Sequence, residues 1–262
     1  MSKTEKSLLI IDQITKGSGW TEEKVDPRAA LLVTLVYLCF MLSVPTSHID
    51  ILLWYALYPI IAAPFFYLKY TTIFLQSLII LPLVILLGVF NPVFDKTPVA
   101  AIDGVVITNG WLLFIGIVLR GLLSMQALLI LIQSMGFIGL VKNMRRLGVP
   151  KFLVTQLLLV FRYIRVLIEE GISMRNAINA RSYGKKHLSI KLWGVMVGQL
   201  FMRSIDRAER VNRAMMARGF DGHIPFYHLS LTSWSAGSTF YLIGWSLVFI
   251  LLRLFNPSLL FV

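Results

Sequence analysis

The chain has 262 residues, 57% of them hydrophobic and only 15% charged, with a mean hydropathy of +0.76. A soluble domain carries roughly 25% charged residues, so polar side chains are too few to coat a soluble fold, and the sequence reads as an integral membrane protein. A single cysteine, Cys39, excludes an intramolecular disulfide framework and any multi-cysteine zinc or iron–sulfur site, and His48, His187, His223 and His228 lack HExxH-type spacing.

The net charge of +12 is concentrated in one place. Between Val141 and His228 there are 16 basic and 5 acidic residues, while the rest of the chain is nearly neutral with 9 and 8. In a soluble protein such basicity would point to nucleic acid. Here it marks one segment of a membrane protein, and no nucleic-acid partner is expected.

In chain order, residues 1–28 are polar and mixed in charge and read as a cytoplasmic N-terminal segment. The apolar patch from Leu8 to Ile11 is too short for a secretory signal. Asp26-Pro27 marks a helix start, with Asp as N-cap and Pro at the first helical position. Apolar runs follow at about 29–44, 49–67, 72–90 and 111–141, and a fifth extends from Phe240 to Val262. A span needs about 20 apolar residues, and Pro45, Pro59, Pro64 and Pro82 interrupt or end runs in a way that membrane helices tolerate.

Positive charge orients the chain. The N-terminal tail has five Lys/Arg, the loops up to Gly110 have few, and the segment after the fourth run has sixteen. The expected architecture is therefore an all-α, polytopic protein of the inner or plasma membrane with a cytoplasmic N-terminus and about five transmembrane helices. Four spans lie in 29–141, a cytoplasmic domain in 142–230 and a C-terminal span in 231–262.

The cytoplasmic segment reads as three or four amphipathic helices. Arg165 and Glu169 stand at i,i+4 spacing, suited to a surface pair. Leu192 to Met202 is too short to cross a bilayer, and Gly194 and Gly198 would let another helix approach closely. Arg120 and Arg253 fall inside spans. For Arg120, pairing within the bundle, contact with a partner membrane subunit and satisfaction of nearby carbonyls all stay open, and Arg253 is placed to snorkel outward.

One short internal repeat stands out. Ala177-Ile178-Asn179-Ala180-Arg181-Ser182-Tyr183-Gly184 aligns with Ala214-Met215-Met216-Ala217-Arg218-Gly219-Phe220-Asp221, a shared A-x-x-A-R-small-aromatic pattern. Both copies sit where a helical pattern ends, and Gly184 and Gly219 suit helix termination. A single Arg there would read as ordinary capping against the helix dipole. Two matched copies favour docking instead: small alanines fit a groove, and a planar guanidinium engages carboxylates or carbonyls.

These motifs carry a family resemblance. Asp26-Pro27-Arg28, Arg145-Arg146-Leu147-Gly148-Val149-Pro150, Phe161-Arg162-Tyr163-Ile164, Ala180-Arg181-Ser182 and the string from Arg207 to Gly222 resemble the transmembrane T component of energy-coupling factor importers. They are most similar to its cobalt/nickel-type, CbiQ-like branch. The resemblance implies an ABC-type importer in which coupling helices in 142–230 engage two ATP-binding cassette subunits. A CbiM-like substrate-binding S component, with a small accessory membrane subunit, would carry the substrate. It implies ATPase-docking roles for Ala180, Arg181 and Ser182 and for Ala217, Arg218 and Gly219. Ser182 replaces a frequent Gly, small for small.

The chain has no G-x-x-x-x-G-K-[ST] phosphate loop, so ATP and Mg are expected on the partner ATPases and no cofactor on this chain. No intramembrane carboxylate pair suggests an ion pathway of its own, and no catalytic or metal-ligating residues are expected. Other readings are a vitamin-type T component, an intramembrane lipid-modifying enzyme using Arg162, Glu169, Glu170 and Asp206, and a permease binding its own substrate.

Overall fold

The computed structural model describes residues 25–46, 49–102, 105–181, 189–220, 222 and 234–254. Two compact units divide them, one built from residues within 14–140 and 231–262, the other from residues within 141–230. The described residues are almost entirely helical, as the apolar periodicity requires.

In the first unit, α1 (Pro27–Ser43) starts as the Asp-Pro pair predicts. The Asp26 carboxylate accepts from the Arg28 N–H at 2.9 Å, and Pro27 takes the first helical turn. The Asp26 N–H donates to Ser238 Oγ at 2.7 Å, which joins the start of α1 to the start of the last helix. The second apolar run is broken into α2 (Ile49–Tyr55) and α3 (Leu57–Phe65). Pro59 explains the break, because it has no N–H to donate to the Tyr55 carbonyl. The Tyr37 hydroxyl from α1 takes that carbonyl instead, at 3.2 Å. A side chain thus repairs what proline removes, as a low-dielectric surrounding demands.

The third run forms α4 (Tyr70–Ser77), a 3-10 turn at Leu78–Ile80, α5 (Leu81–Gly88) and α6 (Phe90–Phe94), with Pro82 in the first turn of α5. An antiparallel hairpin follows, β1 (Pro98–Ile102) and β2 (Val105–Thr108), pairing Ala101 with Val106 and Ile102 with Val105. Asp95 closes its base. Its carboxylate accepts from the Thr97 hydroxyl at 2.6 Å, the Thr97 N–H at 3.2 Å and the Asn109 amide at 2.7 Å, and these donors hold it below the usual carboxylate range.

Helix α7 (Asn109–Arg146) is interrupted at Gly136, whose φ of 68° and ψ of 167° lie in a region essentially reserved for glycine. The chain continues through α8 (Lys151–Arg181) and α9 (Ile190–Ala217) to α10 (Ala236–Leu254). Segments long and apolar enough to cross a membrane are Tyr70–Phe94 with 25 residues, Asn109–Arg146 with 38 and Ala236–Leu254 with 19. Pro27–Ser43 and Ile49–Phe65 are shorter apolar helices. Together they coincide with the five apolar runs of the sequence.

The core of this unit is aromatic. Tyr37 stacks on Tyr58 with ring centroids 4.5 Å apart, Phe249 of α10 lies 5.5 Å from Tyr37 and 6.0 Å from Tyr55, and Trp245 meets the Tyr58 ring edge-on at 5.0 Å. The three tyrosines and Phe249 are among the largest buried groups, with Trp245 partly buried against them, and such pairs are worth about 0.5–1.5 kcal/mol each beyond burial. The Tyr58 hydroxyl is shared with Thr34 Oγ at 3.0 Å. Ile79, Leu86 and Phe94, by contrast, are widely exposed, as suits side chains that face lipid.

Replacing Gly136 with Ala should force either strain of about 1–3 kcal/mol or a straighter helix. Thermal unfolding in detergent checks this: Gly136→Ala lowers the midpoint, whereas Gly244→Ala, with nothing within 4 Å of the added methyl, leaves it nearly unchanged.

Candidate coupling helices and their tips

The basic segment contains two long helices among its described residues, not the three or four expected. No proline falls between Lys151 and Arg181 or between Ile190 and Ala217, so nothing terminates either helix early. Between α7 and α8, Gly148 closes the turn: its N–H reaches the Arg145 carbonyl at 3.2 Å and the Val149 N–H reaches the Met144 carbonyl at 3.2 Å. Ser189 caps α9, accepting from the Leu192 N–H at 3.3 Å.

Helices α8 and α9 run antiparallel. A methyl at Gly171 would meet Leu200 at 3.9 Å, and Glu170 reaches two residues further along α9. The Glu170 carboxylate accepts from Arg203 at 3.4 Å and from Arg207 at 3.1 Å, and at 17% exposure it is the most sheltered of the three side chains. Arg203 and Arg207 stand one turn apart, so both guanidiniums project toward the same carboxylate. Beyond this crossing the helices enclose an apolar groove of about 560 Å³, lined by Leu159, Tyr163 and Leu167 of α8, by Ala208, Val211 and Met215 of α9, and by Phe220.

The two repeat copies end the two helices. Arg181 is the last residue of α8, exposed beside exposed Ala180; Ser182, Tyr183 and Gly184 lie outside the described residues. Arg218 caps α9 after exposed Ala217, and Gly219 follows at φ +78°. There the Gly219 N–H donates to Met216 O and the Phe220 N–H to Met215 O, both at 3.0 Å, which completes a Schellman cap. Backbone alone finishes the helix, so the Arg218 side chain is not needed for termination. Among the described residues neither guanidinium tip has a hydrogen-bond or ion-pair partner. With the crossing near Glu170 and a rise of 1.5 Å per residue, the tips stand at opposite ends of the pair, roughly 35 Å apart along its axis.

Phe220, the aromatic of the second copy, lines the groove between α8 and α9, so it fastens the end of α9 to α8. Gly194 and Gly198 face open space, with no helix approaching them among the described residues. Trp193, Val197, Phe201 and Met202 on the same half of α9 are exposed and leave an uncovered apolar surface. Sequence reasoning missed the Glu170 clamp; the signal was the i,i+4 pair Arg203 and Arg207 on a helix with few acids. His48, His187, His223 and His228 lie outside the described residues, and among those described no three metal-ligating side chains gather.

Glu170→Gln should weaken the crossing by about 1 kcal/mol, the range of a part-exposed ion pair. Spin labels on α8 and α9 beyond the crossing would read this as a broader distance distribution, and high salt, which screens the pair, should broaden the wild type toward the variant.

Two comparisons give the chain its relatives. A cobalt transport protein family, CbiQ, matches residues 20–227. An uncharacterised protein of Methanocaldococcus jannaschii is 36% identical over 115 residues, covering 43% of this chain and 41% of that protein. The cobalt transport protein CbiQ of Salmonella typhimurium is 25% identical over 104 residues, covering 39% of this chain and 46% of its own length. The matched regions thus span less than half of these curated relatives. The family match takes in α1 through α9, with both arginine tips and the Glu170 clamp, and on that extent the chain belongs to the CbiQ cobalt transport protein family.

Proposed function

We propose that this membrane protein is the T component of an energy-coupling factor importer for cobalt or nickel ions, working with partner subunits. Arg181 and Arg218 each seat in a groove of one ATP-binding cassette subunit, flanked by Ala180 and Ser182 and by Ala217 and Gly219. The N-terminus faces the cytoplasm, which puts the basic α8–α9 unit on the side where ATP is. The ATPases hold ATP and Mg, and a CbiM-like S component with its small accessory subunit carries the metal.

The observation that carries this reading is the pair of matched Ala-Arg tips, exposed and, among the described residues, unpaired at opposite ends of two antiparallel helices. Two related motor subunits present two related grooves, and a rigid pair of helices converts a change in their spacing into movement. The uncovered apolar face around Trp193 and Phe201 suits a membrane subunit that shifts between positions. The chain's own residues supply no phosphate loop, in keeping with a non-catalytic role.

Charge reversal tests the tips. Arg181→Glu and Arg218→Glu, each made in the co-expressed complex, should detach an ATPase on affinity purification and reduce ATP-driven cobalt uptake at least tenfold, while the chain stays in the membrane. A Lys substitution should retain part of the activity, because it keeps the charge and loses the fork. Full uptake and intact complexes in both Glu variants would overturn the docking role.

A further inference from the structure

The intramembrane arginines converge. Arg120 of α7 donates to the Val44 carbonyl just past α1, and Arg253 of α10 donates to Ser43 Oγ at 2.8 Å. Helix α1 has no basic residue in its own last turn, so both guanidiniums serve its negative end from other helices. A carbonyl and a hydroxyl do not balance two full charges. Among the described residues no carboxylate pairs with either arginine.

Two donors of the same unit are unused. Arg120 Nε is buried with no hydrogen-bond partner, and so is the hydroxyl of Tyr55, a residue with 0% exposure. Tyr55 stacks on Phe249 with centroids 6.0 Å apart and planes at 17°. Phe249 lies one turn before Arg253 on the same helix face, which brings the Tyr55 ring to the helix that carries Arg253. Buried donors without acceptors cost about 1–3 kcal/mol each, so two such groups in a unit that also holds two cations describe a site short of an anion.

The level within the bilayer indicates which anion. Helix α1 has 17 residues, about 26 Å at helical rise, slightly shorter than the roughly 30 Å hydrocarbon core. Centred in that core, the helix would end, with Ser43 and Val44, just inside the boundary with the headgroups. The following turn is held against α7, where no side chain would fit between Gly116 and the Thr46 carbonyl. Arginine side chains at this level reach toward lipid phosphates, and a guanidinium matches phosphate oxygens in a bidentate fashion.

We infer that Arg120, Arg253 and the Tyr55 hydroxyl form a binding site at the C-terminal end of α1 for the phosphate of a membrane phospholipid. The lipid supplies the missing acceptors and lets two charges sit in an apolar unit. The site involves residues remote from the arginine tips and holds whether or not those tips dock ATPases.

Native mass spectrometry on the full-length, delipidated chain tests it, with thermal unfolding in the same detergent. Dioleoyl phosphatidylglycerol should bind and raise the unfolding midpoint, whereas dioleoylglycerol, with the same chains and no phosphate, should not. Arg120→Gln with Arg253→Gln should weaken lipid binding about tenfold or more. Tyr55→Phe, which removes only an unpartnered hydroxyl and keeps the stacked ring, should weaken it about threefold, a milder loss suited to a neutral donor. Equal binding of dioleoylglycerol, undiminished binding in folded variants, or a full effect of inorganic phosphate without lipid would overturn the proposal. So would a chain that binds no phospholipid but cross-links through position 120 or 253 to a co-expressed membrane subunit.

Discussion

The carboxylate of Glu170, held between Arg203 and Arg207, is the contact on which the basic unit depends. Without it, α8 and α9 would share little beyond the apolar groove on one side of their crossing. With it, two helices of 31 and 28 residues act as one body, and the distance between their ends is set. An exposed ion pair is ordinarily worth about 0.2–1 kcal/mol. One acceptor sheltered by two donors from adjacent turns does better than that as a locator, because either arginine alone would leave the crossing free to pivot.

The membrane unit solves a different problem, the satisfaction of backbone polar groups away from water. Its prolines remove donors, and its tyrosines return them. Tyr37 serves the carbonyl that Pro59 leaves open, and Tyr58 shares a proton with Thr34. These same rings stack into the core with Phe249 and Trp245. Hydrogen bonding and packing are thus carried by the same side chains. That economy explains why a core can be rich in tyrosine yet expose almost none of it to lipid.

The parts legible in the sequence were those governed by local rules. Asp26-Pro27 announced α1, the apolar runs announced the apolar helices, and the A-x-x-A-R repeat announced two helix ends with similar chemistry. What escaped depended on non-local partners. Glu170 became informative only once folding brought Arg203 and Arg207 to it from more than thirty residues away. The break at Gly136 sits in a run that reads as uninterrupted helix, since a glycine there costs little and a φ of 68° leaves no mark in periodicity. Likewise Gly194 and Gly198 suggested a close helix neighbour by their spacing alone, and spacing does not say whether a neighbour exists. The hairpin after Asp95 was hidden by its brevity, a few β-branched residues between two long helices.

Because α8 and α9 run in opposite directions and finish in the same five-residue pattern, a half-turn about an axis near Glu170 carries one tip onto the other. A single polypeptide thereby acquires a local dyad that its sequence order does not possess. Any assembly with two equivalent halves, placed astride that axis, would meet the same chemistry twice and be pulled or pushed symmetrically. The imperfections matter as well: one copy reads Gly219-Phe220 after its arginine and the other Ser182-Tyr183, so the operation is approximate and the two halves remain distinguishable.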